Sequence, residues 1–575
     1  MKDMHIFERE VNGRRYRIAA QSVWDAQQGR SVARQVVLGP TASAPVADLS
    51  TTRTVGTRAV GDVGALVWVA EQLDLVAHID RACPGLGAKG GPSVGELAVA
   101  VAIQRACSPG PKCELGEFLD ACLPRLSCLP GSAFTGQVFH RVAQQVTESQ
   151  LEQAQVAISK AAVACFDLSA DVLAFDTTNF DTHIDTQTTG ELAKRGHAKS
   201  KRKDLRVVGL GVLVSETGHV PLLYRTYPGN GSDQSVLTAC LGGLAKLHEA
   251  LDSGEGRRRP AQRTVVRDGG FWSPQLELDL DSAGYHSLIS LPLGHNAAEE
   301  ALQMAAQRGA MKSLTGKLSD VRAARVRTTV GAEALDRTLV VVESQELLEG
   351  QKRGITVALR KAKVELRTLE ALVQKGRISR VRLEDRVKKA LAREHLSRFV
   401  VATIDGADKT PTLQWHVDAA LRRELEKTRL GKRVLCTDRH NWSTGRIVDA
   451  FRGQWNVEEL FRRAKKGGVV PWGPSHQWSD GSLRLHTFAT VLGLMLVGLA
   501  KLALGTDASA RRMLDSLAEI KATLVRTTTG GAGRRPTVML APELTAEQRR
   551  AAKVFELEKW FPAVLSCIPS RQVNS

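Results

Sequence analysis

Three carboxylates in this chain sit where chemistry could be done. Asp176 closes the apolar run VLAFD, Asp268 follows the run TVVR, and Glu458 lies in the helix-patterned block FRGQWNVEELFRRAKKGG. Two acids at strand ends and a third on a late helix can converge on one point. Carboxylates are hard oxygen donors suited to divalent cations. Two such cations about 3.5–4 Å apart can stabilise both the attacking and the leaving oxygen of a phosphodiester displacement.

Each acid also has a plainer reading. An isolated Asp after a strand is commonly a turn or cap residue. Glu458 and Glu459 are spaced for the intrahelical ion pairs Glu458–Arg462 and Glu459–Arg463 on a solvated face. Other acids compete as well. Asp181 and Asp185 fall in a polar, loop-like stretch, and Asp279 and Asp281 lie inside a helical pattern. Glu459 is rotated by about 100° from Glu458, toward solvent. Asp438, at the end of the strand-like RVLC, is the closest rival. Helical spacing puts Phe451, Glu458 and Lys465 along one face with Gln454 and Arg462 near it. There the acid would take metal while Lys465 and Arg462 neutralise phosphate.

The elements that must position these groups can be read from periodicity. Residues 1–50 form a small β unit around an Asn12-Gly13 hairpin signal, followed by the small, polar linker TASAPVADLSTTRT. Residues 51–168 are mainly helical, with LVWVAEQLDLVAHI, VGELAVAVAIQRA and a further helix from about 132 to 165. From 169 to 294 the order is strand, strand, strand, helix, strand, helix, strand, which predicts a mixed sheet with helices packed on it. Residues 295–440 interrupt this pattern with a basic helical hairpin broken at Gly376, then strands in RFVVATIDG and GKRVLCTD around a short helix. Helix resumes over 441–505, and two helices are expected near 483–504 and 508–528 within and beyond it. RTTTGGAGRRPTV reads as a basic loop in the 506–575 tail.

The chain has 575 residues, with Lys plus Arg 79 against Asp plus Glu 61, a formal charge of +18. That excess favours a polyanionic partner, most simply nucleic acid. Nine cysteines are scattered without a CxxC, and Cys107, Cys113, Cys122 and Cys128 fit no common zinc spacing, so reduced thiols are expected. The polar start MKDMHIFEREVNG lacks a signal-peptide core. The longest apolar run, Ala489–Ala500, is shorter than the ~20 residues of a spanning helix. These features lead to the expectation of a soluble, cytoplasmic protein with no membrane partner.

At this point the residues resemble the DDE-type transposases of bacterial insertion sequences, in the insertion-sequence-four-like superfamily. Their late-helix signature is Tyr, two residues, Arg, three residues, Glu, six residues, Lys. The same spacing here yields Phe451, Gln454, Glu458 and Lys465. The aromatic is conservatively changed, and Gln replaces Arg, a phosphate contact that Arg452 or Arg462 could supply instead. DTTNF, VVRDGGFWS and the Gly229-Asn230-x-x-Asp233 loop resemble the family's other blocks. The likeness covers about 170–500 well and the ends loosely.

The resemblance implies an α/β, ribonuclease-H-like mixed-sheet core with a helical N-terminal region and an insertion between the second and third acids. It implies Asp176, Asp268 and Glu458 as catalytic ligands for two Mg2+ or Mn2+ ions. Double-stranded DNA, as terminal inverted repeats and target, would be the partner, with a homodimer in the DNA complex. Residues 51–168 and the basic insertion would grip the element's ends. Lys465, Arg462, Gln454, Arg452, Lys199 and Arg202 would contact DNA. The activity implied is metal-dependent strand cleavage and strand transfer. A nuclease without strand transfer, or an inactive DNA-binding relative, would share most of these features.

Overall fold

The computed structural model describes residues 4–12, 14–25, 30–41, 52–185, 187–252, 263–308, 311–393, 395–527 and 537–565. Most of the expected linker and RTTTGGAGRRPTV, with Gly13 of the hairpin signal, lie outside them. The chain divides into two compact units, residues 1–263 with 454–575, and residues 264–453.

In the first unit, Met4–Val11, Arg14–Asp25 and Arg30–Pro40 form an antiparallel three-stranded sheet. Helices then dominate to Cys165, as their apolar spacing predicts. The expected single helix over 132–165 is two, Gly136–Ala143 and Glu148–Cys165, each started by a threonine cap, Thr135 and Thr147. Three antiparallel strands follow, Val172–Thr182, Arg206–Ser215 and Pro221–Pro228, with Asp176 opposite Val212 and Val212 opposite Tyr224. Helix Asp233–Asp252 comes next. The helix Asp480–Leu504 is long and apolar enough to cross a membrane by composition, yet its apolar stretch is 78% buried inside this unit. It packs on helix Val94–Cys107 as a core element. The expected helix over 508–528 is only partly helical. Ala510–Ala518 is helix, and Lys521–Thr527 is a strand paired with Thr52–Ala59 and Thr537–Leu540. The β-branched KATLVRT suits an extended backbone better than a helix.

The second unit holds a mixed six-stranded run. Its order is Lys312–Ser313, Val321–Val330, Leu335–Ser344, Lys432–Thr437, His286–Leu291, Thr264–Arg267. Only the last pair is parallel, joined through helix Pro274–Ser282. The strand–strand–strand–helix–strand–helix–strand order from Val172 to Leu291 is the one expected of a ribonuclease-H-like α/β core.

The expected interruption at 295–440 is not one separate piece. Strands Val321–Val330, Leu335–Ser344 and Lys432–Thr437 extend the sheet that contains the Asp268 strand. What stands apart is narrower: helices Gln345–Gln374, Arg380–Leu391 and Ala419–Thr428 with the hairpin Val400–Ala407/Thr410–Val417. These bury Leu366, Leu369, Leu383, Leu396 and Phe399 in a core of their own. Gly376 makes the helical hairpin turn at φ +60°, where glycine meets no steric penalty.

Candidate active site

Asp176 does not end its strand. Thr177, Thr178 and Phe180 continue it to Thr182, because β-branched and aromatic residues extend the strand beyond the apolar run. Asp176 is therefore held mid-strand, half-buried, with the Thr177 N–H donating to its Oδ1 at 2.7 Å. The loop after the strand folds back onto it. Asn179 Nδ2 donates to the His197 carbonyl at 2.8 Å, and Asn179 Oδ1 accepts the Lys199 N–H at 2.9 Å. Lys199 Nζ then donates to the carbonyl of Thr177, the residue after Asp176.

The expected continuous helix over the Glu458 signature is two helices, Thr444–Arg452 and Gln454–Ala464, separated at Gly453. Glycine costs helix stability and permits the break. Phe451 therefore belongs to the first helix, buried under the Arg433 guanidinium at 5.1 Å, and is not on the helix that carries Glu458. Lys465 falls one residue past the end of the second helix, exposed.

Two amides dock the Glu458 helix within its own unit. Gln454 Nε2 donates to the Phe175 carbonyl at 2.9 Å, and Asn456 Nδ2 donates to the Glu216 carbonyl at 2.7 Å. Gln454 is 8% exposed, so the expectation that it contacts DNA gives way to an internal role. Glu458 sits one helical turn past Gln454, and Phe175 immediately precedes Asp176. The structure thus draws the surroundings of Asp176 and Glu458 together. Glu458 itself is exposed and makes no hydrogen bond or ion pair among the described residues. Glu459, expected to face solvent, is the more buried of the two and takes both cations, Arg462 at 2.9 Å and Arg463 at 3.3 Å.

Asp268 stands where the sequence places it, directly after strand Thr264–Arg267, at the start of a short turn. Its carboxylate is exposed and has no partner among the described residues. Gly269 is required by space. A Cβ there would lie 2.5 Å from the Ser290 carbonyl oxygen.

The rival acids are engaged elsewhere. Asp438 accepts from His286 Nδ1 at 2.5 Å and from Ser287 N at 2.9 Å. Asp281 pairs with Arg337 at 3.2 Å, Asp279 accepts from Gln275 at 2.9 Å, and Asp181 accepts from Ser200 at 2.8 Å. Of the expected DNA contacts, Arg452 is paired with Asp320 at 3.1 Å and Arg202 with Asp204. Lys465 has no partner among the described residues. Sequence reasoning missed Asn179, which shapes the Lys199 loop, and Trp455, 52% exposed on the Glu458 helix. A tryptophan on the polar side of an amphipathic helix was the signal for the latter.

Among the described residues no three His, Cys, Asp or Glu side chains form a ready cage for an ion. The donors nevertheless fit a hard cation. In a chain of net charge +18, Glu458 and Asp268 keep carboxylates that no Lys or Arg among the described residues neutralises. Magnesium is commonly held by one or two carboxylates plus water and substrate phosphates rather than by an all-protein cage.

Residues 168–468, just over half of the chain and inclusive of all three acids, match the family model of the transposase DDE domain. No curated protein matches the chain. Among solved structures, the piggyBac transposase synaptic complex with hairpin DNA aligns at a TM-score of 0.35 and 8% identity, covering 80% of this chain and 78% of that one.

Proposed function

Because this chain belongs to the transposase DDE-domain family, we propose that Asp176, Asp268 and Glu458 are the catalytic acids of a DNA transposase. The enzyme cleaves DNA strands and transfers them. Transposases with this domain generally use divalent metal ions. In our reading the three carboxylates hold two Mg2+ or Mn2+. When bound, those ions supply a lowered pKa for the attacking hydroxyl and charge stabilisation for the leaving 3′ oxygen.

The protein's own part is to supply and aim the acids. The Gln454 and Asn456 amides keep the Glu458 helix seated, and Lys199 ties its loop to the strand that carries Asp176. Lys465, whose side chain has no partner among the described residues, would take a DNA phosphate. Arg462, Arg202 and Arg452 would have to exchange their present carboxylate partners for phosphate, at little cost at an exposed surface. Double-stranded DNA is taken as terminal inverted repeats and as target, by a homodimer in the DNA complex. The membership we favour is the insertion-sequence-four-like branch, acting in the bacterial cytoplasm on nucleoid DNA.

The observation that carries this reading is the unpaired Glu458 carboxylate on a helix pinned to the residue before Asp176. The test is incubation of purified protein with Mg2+, labelled duplexes bearing the flanking inverted repeats and a supercoiled plasmid. Strand cuts and end-joining to plasmid are expected, both lost with EDTA and in Asp268→Asn. Cutting without joining would identify a nuclease. Undiminished cutting by Asp268→Asn would remove that acid from the site.

A further inference from the structure

The residue before Asp268 is an arginine with no exposed surface. Arg267 ends the strand Thr264–Arg267, and Asp268 keeps extended backbone at φ −80°, ψ 161°. The alternation of side chains therefore runs one residue past the strand, and consecutive residues face opposite ways. Arg267 turns to the buried side and Asp268 to solvent.

On the buried side Arg267 Nη2 meets Glu277, also without exposed surface, on the helix Pro274–Ser282. The Ser287 hydroxyl accepts from Arg267 at 2.6 Å and donates to Glu277 at 3.1 Å. Arg337, from strand Leu335–Ser344, reaches the other Glu277 oxygen at 3.3 Å and Asp281 at 3.2 Å.

Two cations and two acids balance in this cluster, but burial makes it an inefficient source of stability. Removing ions from water costs about as much as their attraction returns, and apolar replacements of similar volume are often as stable. Arg267 Nε and Nη1 are buried without a hydrogen-bond partner among the described residues, which adds to that cost. What the cluster does supply is direction. It ties the strand end to a helix and to two other strands, Ser287 lying in His286–Leu291, and a one-residue slip would turn Asp268 inward.

We propose that Arg267 and Glu277 are positioning residues that set the aim of the Asp268 carboxylate and of the turn behind it. The proposal rests on the reading of Asp268 as a catalytic acid. The turn reports on itself, because the Phe271 N–H bonds the Asp268 carbonyl at 3.1 Å and the Trp272 N–H bonds the Gly269 carbonyl at 3.2 Å.

The experiment compares Arg267→Met/Glu277→Met, Arg267→Lys and Asp268→Asn with the parent. It reads thermal melting, amide exchange at Phe271 and Trp272, and the Mg2+ concentration for half-maximal cleavage. The double variant should melt at or near the parental temperature. Its two amides should exchange about tenfold faster or more, and its half-saturating Mg2+ should rise on the order of tenfold, as for lost outer-shell support. Parental exchange and Mg2+ dependence in the folded double variant would overturn the proposal. If the double variant does not fold, Arg267→Lys decides, since it keeps the charge and loses the fork. The lysine variant should show the same two changes in smaller measure, and parental values would again overturn the idea. Asp268→Asn separates the failures. Undiminished cleavage there removes the reading of Asp268, whereas loss of cleavage there with parental double-variant behaviour removes only the positioning role.

Discussion

Gln454 donates its side-chain amide to the carbonyl of Phe175 at 2.9 Å across 279 residues of sequence. This bond seats the helix of one candidate catalytic acid against the strand of another. Gln454→Leu removes this buried donor from the Phe175 carbonyl. A loss of about 0.5–1.5 kcal/mol in urea unfolding is expected, together with reduced cleavage. An unchanged urea midpoint would show that the bond is dispensable.

Glu458 and Glu459 are adjacent but should behave oppositely. Glu458→Gln breaks no bond in the described structure, so its melting temperature should match the parent while cleavage falls by roughly 10²–10³, as for loss of a charge-stabilising group. Glu459→Gln removes the charge that compensates Arg463, which is 5% exposed, and should cost about 1.5–3 kcal/mol in stability. Paired melting and cleavage assays check this. The assignment fails if Glu459→Gln is the inactive, stable one.

Gly269→Ala inserts a methyl 2.5 Å from the Ser290 carbonyl, and backbone cannot yield as a side-chain tip can. The turn must shift, at a cost of about 1–3 kcal/mol, and carry Asp268 with it. Cleavage should drop more than stability alone explains. Full activity in the alanine variant would mean that the turn tolerates displacement.

Acid should weaken the first unit through a buried pair that holds no anion. Lys112 Nζ lies 3.0 Å from His486 Nδ1, and His486 Nε2 meets the Trp472 carbonyl at 2.7 Å. Burial, then the neighbouring Lys112 and Arg105, hold the His486 imidazole well below its ordinary 6.5. Burial, then Arg105, bring the Lys112 ammonium down to about 7. The unfolded chain binds protons that these folded groups refuse, so stability rises with pH. Lys112 contributes between about 7 and 10.5, and His486 contributes as pH climbs to 6.5. Melting temperature should therefore fall from pH 6.5 to 5. His486→Gln, which keeps one acceptor and one donor, should flatten that fall. An equally steep fall in the variant would place the acid sensitivity elsewhere.

Local sequence determined what depends on local physics. Alternating and 3.6-residue periodicity marked the strand and helix order from Val172 to Leu291, and with it the place of Asp268 at a strand end. The same periodicity marked the helical hairpin around Gly376, and the short length of the Ala489–Ala500 apolar run marked its helix as one that does not span a membrane. The spacing of Gln454, Glu458 and Lys465, through its resemblance to a family signature, pointed to Glu458 as the candidate third acid. Pairing was not legible, because it is decided between segments far apart in the chain. Nothing near Lys521–Thr527 announces its partner at Thr52–Ala59, and nothing in Leu335–Ser344 says that it joins the sheet of Asp268 and not the inserted piece. Gln454 looked like a surface contact until the Phe175 carbonyl claimed it, and Glu459 looked solvated until Arg463 was buried against it. Residue type and spacing specified which groups can do the chemistry. Long-range packing, with the burial and hydrogen-bond partners that only the folded chain provides, decided which of those groups stay unpaired and which are spent on holding them in place.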